Sequence, residues 1–278
     1  MKHSRAFGSQ RRIKIPLNPP LSKGEISNSP LWKRGVRGDF LKKGIILFLD
    51  FDGTLSPIVD NPLNATIPDD ISAWLRRLSL KRKIKIGIIT GRSMQDVRKR
   101  VGLKNIIYAA NHGMEVYYKG RFILRKGRVY RRPLALIAES LIKELSGIPG
   151  IYLENKGLSV AVHLRRVKRN YHRKVKNLVK IIVEPWLKKY VLQLTSGKML
   201  MEVRPVLHWN KGKAVLWIWR RLAPGYVPFY VGDDTTDEDA FSALKPYGIT
   251  VRIGRKAGSH AEYYIPSISR LADSDFFN

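Results

Sequence analysis

The stretch Ile45-Ile46-Leu47-Phe48-Leu49-Asp50-Phe51-Asp52-Gly53-Thr54-Leu55 constrains the fold of this chain more than any other. Its apolar run, Ile45 to Phe51, is closed by acidic residues and a glycine. A strand apolar on both faces belongs inside a parallel sheet with helices on either side. Residues i and i+2 of a strand share a face, so Asp50 and Asp52 would project together if the strand reaches that far. The carboxyl ends of such strands are where α/β sheets place ligands. Adjacent like charges are costly unless a cation or a shared proton offsets them, so a hard metal such as magnesium is implied.

The surrounding rhythm agrees. Asp69–Asp70 opens a helix with Ile71, Trp74, Leu75 and Leu78 on one face. A second apolar strand over 85–89 ends at Thr90-Gly91-Arg92, a helix follows through Val97 and Val101, and a third strand covers 105–110. Alternating strands and helices predict an α/β fold with a doubly wound parallel sheet. The middle of the chain departs from this. A hairpin over 115–125, a helix over 134–145, a strand over 158–164, a helix over 175–187 and strands over 191–195 and 200–204 form an α+β module. From Asn210 the α/β rhythm resumes, with a helix at 213–221, strands at 228–231 and 250–253, and a helix from Glu238. The expected organisation is a core at 44–117, an inserted α+β cap at 118–204 and the rest of the core at 205–272. Residues 1–43, basic and rich in Pro, Gly and Ser without periodicity, read as a disordered extension that an early gene start would create.

Three further segments carry chemistry. Ile88-Ile89-Thr90-Gly91-Arg92 offers a hydroxyl and backbone amides where a strand meets a helix, a place suited to phosphate oxygens. Asn210-Lys211-Gly212-Lys213 puts a lysine at a helix entrance. Val231-Gly232-Asp233-Asp234-Thr235-Thr236-Asp237-Glu238 follows an apolar strand with a density of carboxylates that a magnesium site explains better than surface charge.

Composition removes several classes. Without cysteine there is no disulfide, thiolate nucleophile or cysteine-bound metal. No apolar run reaches the roughly 20 residues a bilayer requires, and no secretory signal is evident, so a cytoplasmic protein with no membrane partner is expected. The formal charge of +30 makes nucleic acid a rival partner, disfavoured because no aromatic and basic RNA-binding signature accompanies it.

Taken in order, the four segments resemble the haloacid-dehalogenase (HAD) superfamily. Asn111-His112-Gly113-Met114-Glu115, the cap stretch Lys156 to His163, Gly197-Lys198 before Glu202-Val203-Arg204-Pro205, and Trp209 before Asn210-Lys211-Gly212 narrow the resemblance to the trehalose-6-phosphate phosphatases. The likeness covers about 45–265. It implies a HAD core with the cap between the second and third segments, Mg2+ as cofactor and a sugar phosphate as small-molecule partner. It also implies a functional link to a trehalose-6-phosphate synthase.

The resemblance makes Asp50 the nucleophile and Asp52 the general acid and base, with Thr90 and Lys211 on the phosphoryl oxygens. Asp50, Asp233 and the backbone carbonyl of Asp52 would hold the metal, with Asp234 and Asp237 supporting that site or Lys211. Asn111, His112, Gly113, His163, Arg165, Lys198, Glu202 and Arg204 are the candidate sugar contacts. The presence of Asp52 argues against a dehalogenase, since a departing alkoxide needs acid–base help. Sucrose phosphate, mannosyl phosphoglycerate and monosaccharide phosphates are rival substrates for the same chemistry.

Overall fold

The computed structural model describes residues 43–197 and 199–277; the expected extension at 1–43 lies almost wholly outside the described residues, as does Lys198. Twelve described strands form two sheets. The larger has the order β12-β11-β10-β1-β2-β3-β4-β5, with β1 Ile45–Leu49, β2 Ile84–Ile89, β3 Ile107–Ala110, β4 Glu115–Tyr118, β5 Arg121–Arg125, β10 Val227–Gly232, β11 Ile249–Ile253 and β12 Tyr263–Ile265. Strands β12 through β3 run parallel, and β4 and β5 extend the sheet antiparallel.

Strand β1 lies at the centre because both its faces are apolar. Ile45, Leu47 and Leu49 join one hydrophobic layer with α1 (Asp69–Ser79) and α2 (Met94–Val101). Ile46 and Phe48 join the opposite layer with α5 (Lys211–Leu222) and α6 (Glu238–Leu244). Every β1 side chain is thus withdrawn from water, worth about 1.5–3 kcal/mol for each large apolar group.

The smaller sheet, order β6-β7-β9-β8, is wholly antiparallel: β6 Tyr152–Asn155, β7 Val160–His163, β8 Leu192–Ser196 and β9 Leu200–Pro205. Helices α3 (Arg131–Leu145) and α4 (Arg169–Lys189) share a hydrophobic cluster with it. A short α7 (Ser269–Ala272) closes the described chain against the first layer.

Two expectations need correction. The hairpin at 115–125 does not divide at residue 118, because β5 stays in the large sheet, where Tyr117 and Phe122 stack edge to face at 5.3 Å against its first layer. The module with the small sheet therefore starts after β5. Strand β1 also stops at Leu49 rather than reaching Phe51, so Asp50 and Asp52 stand on the loop that follows it.

Candidate active site

The carboxyl ends of β1 and β10 lie side by side, with Leu49 in register with Val231. Asp50 is fixed there by its backbone N–H, which donates to the Val231 carbonyl at 3.0 Å. Its Oδ1 accepts from Lys211 Nζ at 2.7 Å. Lys211 is the first residue of α5, whose start is set by Asn210 accepting from the Lys213 N–H at 2.9 Å. The same ammonium donates to Asp237 Oδ1 at 2.8 Å. Asp237 is wholly buried and saturated: Tyr230 donates to Oδ1 at 2.6 Å, and the N–H groups of Asp233 and Asp234 donate to Oδ2 at 3.1 and 2.9 Å.

Asp233 completes the group, accepting from Thr54 Oγ1 at 3.1 Å. Gly53 sits against it with φ +84°, and a Cβ there would lie 2.1 Å from its carboxylate, so the loop admits no larger residue. Oxygens of Asp50, Asp233 and Asp237 lie within 4.8 Å of one another. Burial drives the Asp50 carboxyl well above the ordinary range; Lys211 opposes the shift, and Asp237 and Asp233 reinforce it. Burial and then Asp237 raise Asp233 to about 6. Burial disfavours the Lys211 ammonium, but Asp50 and Asp237 more than offset it and hold its pKa above the usual value. Three carboxylates against one ammonium leave a deficit of positive charge. That hard-oxygen set fits a divalent cation such as magnesium, and Asp50 and Asp233 are its available donors because Asp237 already accepts four hydrogen bonds.

Asp52 lies apart from this group. Arg92 grips its carboxylate, with Nε to Oδ2 at 2.8 Å and Nη2 to Oδ1 at 2.5 Å. The two aspartates therefore do not project together: the strand ends before them, one is buried against Lys211 and the other, half-exposed, is held by Arg92. Thr90 is buried, and its Oγ1 accepts from the Arg92 N–H at 3.1 Å. Asp234 contributes its N–H to Asp237, and its carbonyl accepts from Arg252 at 3.2 Å.

The turn Asn111-His112-Gly113 runs through three consecutive positive φ values, 51°, 56° and 83°. Gly113 is required, since a Cβ would lie 2.2 Å from that of Ala214 on α5. Asn111 donates to buried Glu115 at 3.1 Å, and Glu115 also binds Arg131 at 2.6 Å. From this turn His112 faces the small sheet, with Nε2 4.0 Å from Glu202 Oε2. Glu202 accepts from Ser159 at 2.8 Å and Lys156 at 3.2 Å. Burial works against its charge, but Lys156 and then His112 dominate and lower it to about 2. Burial is the main cause that lowers His112 to about 4. On the neighbouring strands His163 Nε2 lies 3.0 Å from Glu154 Oε2.

Buried Asn111 Oδ1, His112 Nδ1 and Arg204 Nε lack hydrogen-bond partners among the described residues, the state expected of groups that await a polar ligand. Arg165 makes an exposed ion pair with Asp60 at 3.1 Å. Sequence reasoning gave no role to Arg92, Glu154, Lys156, Ser159 and Tyr230. Glu154 and Lys156, two residues apart at a strand end, were a readable signal; the pairing of Arg92 with Asp52 is a tertiary contact with none.

A family model described as trehalose-phosphatase matches residues 48–267. The chain is 37% identical over 214 residues to the trehalose-phosphate phosphatase of Mycobacterium ulcerans, covering 74% of this chain and 53% of that protein. It is 33% identical over 222 residues to trehalose-phosphate phosphatase B of Arabidopsis thaliana, covering 74% and 58%. The chain thus spans little more than half the length of these relatives. Among solved structures, a protein described as related to trehalose-6-phosphate phosphatase superposes with TM-score 0.71 at 25% identity, covering 82% of this chain and 93% of that one. The C-terminal domain of a Candida albicans trehalose-6-phosphate phosphatase gives 0.68 at 23% identity, covering 86% and 93%, which speaks to the fold.

Proposed function

Since the chain belongs to the trehalose-phosphatase family, we propose that it hydrolyses trehalose 6-phosphate to trehalose and phosphate through an aspartyl-phosphate intermediate. The observation that carries this reading is the buried Asp50, its Oδ1 held by Lys211, in a carboxylate group short of positive charge.

In this reading the large sheet with its helices is the phosphoryl-transfer core, and the module built on the small sheet is a cap over the sugar. Asp50 attacks phosphorus, the bond to the sugar oxygen breaks, and Asp52 gives that oxygen its proton. A water then attacks phosphorus, Asp52 takes the water's proton, and the Asp50–phosphorus bond breaks to free phosphate. Splitting one hard hydrolysis into two displacements is the gain from a covalent intermediate. Lys211 and Thr90 hold the phosphoryl oxygens, where stabilising spread charge is the main task of the protein. Magnesium, held by Asp50, Asp233 and the Asp52 carbonyl, would neutralise charge on the nucleophile and the phosphoryl group when bound. Asp237 keeps Lys211 in place.

The cap presents Glu154, Lys156, His163, Glu202 and Arg204 to the sugar, with His112 facing them from the core. Glu154, Lys156, His163, Glu202 and His112 lie against one another and can exchange those contacts for sugar hydroxyls, and the orphaned polar atoms, Arg204 Nε among them, support the same reading. Lys198 belongs to the sugar set by family likeness alone. A synthase that forms trehalose 6-phosphate is the corresponding source of substrate. Among the described residues, no helix is long and apolar enough to cross a membrane.

Phosphate release from trehalose 6-phosphate, beside sucrose, glucose and mannose phosphates, with magnesium and with EDTA, tests the proposal. Preference for trehalose 6-phosphate, abolished by EDTA and by Asp50→Asn, is the expected result. Preference for another sugar phosphate would reject the substrate and keep the chemistry. No release from any of them would reject both.

A further inference from the structure

Asp52 is held at its carboxylate by one residue, Arg92. Its side chain is 49% exposed, whereas that of Arg92 is 7% exposed and tied on every side. Beyond the fork onto Asp52, Arg92 donates from Nη1 to Asp96 Oδ2 at 2.6 Å and from Nη2 to the Pro62 carbonyl at 3.0 Å, and its plane lies 4.8 Å from the Phe51 ring. Asp96 accepts in turn from Arg100 Nε at 2.8 Å. Arg100 donates to the carbonyls of Ala65 and of Leu63, the latter at 3.0 Å. A line of alternating charges thus runs from the cleft into the joint between α2 and the loop that follows β1. Its Asp52 end is the most exposed, at 49% against 24% for Asp96 and 14% for Arg100. The charge of Asp52 adds to that of Glu202 and Glu154 on Lys156, and the charge of Arg92 adds to that of Lys156 on Glu154.

We infer that Arg92 is the positioning residue for the proton carrier of the reaction, and that its two-point grip on Asp52 is what gives the sugar ester its rate. The inference rests on the reading of Asp52 as acid and base given above. An exposed aspartate samples several rotamers, and only those within hydrogen-bond reach of the leaving oxygen transfer a proton. A guanidinium fork fixes the plane of the carboxylate as well as its distance, which the point charge of a lysine cannot do. One of the two bonds keeps the group in place while the other oxygen turns to the substrate.

The test compares two leaving groups: the sugar phosphate hydrolysed best in the panel above, whose alkoxide needs a proton, and p-nitrophenyl phosphate, whose phenolate does not. Wild type, Arg92→Ala, Arg92→Lys, Asp96→Asn and Asp52→Asn are measured with magnesium, in steady state and by rapid mixing. Arg92→Ala should lower kcat on the sugar ester by about 10- to 100-fold, a portion of the usual acid–base contribution, and leave KM within about threefold. Its pre-steady-state release of nitrophenolate should stay within about threefold of wild type. Arg92→Lys should resemble Arg92→Ala. Asp96→Asn, which loosens the anchor of Arg92 without touching Asp52, should lower kcat on the sugar ester by less than Arg92→Ala does and leave nitrophenolate release within about threefold of wild type. Equal loss on both substrates in Arg92→Ala, full rescue by lysine, or an Asp96→Asn loss that falls equally on both substrates would overturn the inference. Full sugar-ester activity in Asp52→Asn would instead overturn the underlying role of Asp52, while a defect there with none in Arg92→Ala would overturn the positioning role alone.

Discussion

The two faces of the cleft are both polar and mostly buried, yet their charge accounts differ. On the core side, Asp50, Asp233 and Asp237 share one ammonium, Lys211, and burial raises the pKa of Asp50 and Asp233. On the cap side, Glu202 accepts from Lys156 and Ser159, Glu154 lies against His163 and Lys156, and both carboxyls are lowered despite burial. An unbalanced cluster recruits a cation and an anionic phosphoryl group. Carboxylates already bonded to an ammonium and a hydroxyl can exchange those bonds for neutral hydroxyls. In the function proposed above, this difference would give reaction type to the core and choice of sugar to the cap.

The strongest way to break this division is at Asp50. Asp50→Asn keeps the shape and removes the nucleophile, so phosphate release should fall by more than about a thousandfold on every phosphate ester. A loss confined to sugar esters would mean that the core does not own the chemistry. Lys211→Ala comes next. It should cost about a hundredfold or more in kcat and about 3–5 kcal/mol in stability, because it leaves Asp50 and Asp237 buried without their cation. Denaturant melts with and without magnesium would read the stability part, and added magnesium should recover some of it.

Magnesium itself should stabilise wild type by about 2.7 kcal/mol at a hundredfold excess over Kd, seen as a rise in Tm. Asp233→Asn should abolish most of that rise and Glu202→Gln should not. The smallest effect concerns pH. The folded pKa of His112 is lowered to about 4 from an ordinary 6.5, so below 6.5 the unfolded chain takes up a proton that the folded chain refuses. Stability should therefore fall as pH drops from 6.5 towards 4. Glu202, lowered to about 2 from 4.5, extends the loss: its contribution is complete above 4.5 and disappears as pH falls through 2. Replacing His112 with Gln should flatten the upper part of that slope, a change of about 2–4 °C in Tm between pH 7 and 5.

The core was more legible in the sequence than the cap, for a physical reason. Strands β1, β2 and β10 are apolar runs that end in chemistry, so pattern and site coincide on one short segment. In the cap, β6 is a short edge strand whose residues are at best half-buried, and the first turns of α4 are mostly basic, with Tyr171 alone packing on the cluster before Val175, so both starts escaped periodicity. The same contrast holds for the side chains. Asp50, Lys211 and Asp233 could be placed from their segments. The pairings Arg92 with Asp52 and Lys156 with Glu202 join residues 40 and 46 positions apart, and no local pattern encodes them.

The most direct test of the division is the ratio of kcat/KM for trehalose 6-phosphate to that for p-nitrophenyl phosphate, measured in Glu202→Gln and in Lys211→Ala. The account predicts that the ratio falls by about 10- to 100-fold in Glu202→Gln, the loss expected from removing a charged hydrogen-bond partner of the sugar, and changes little in Lys211→Ala, where both esters suffer together. An unchanged ratio in Glu202→Gln, or a collapsed one in Lys211→Ala, would contradict it.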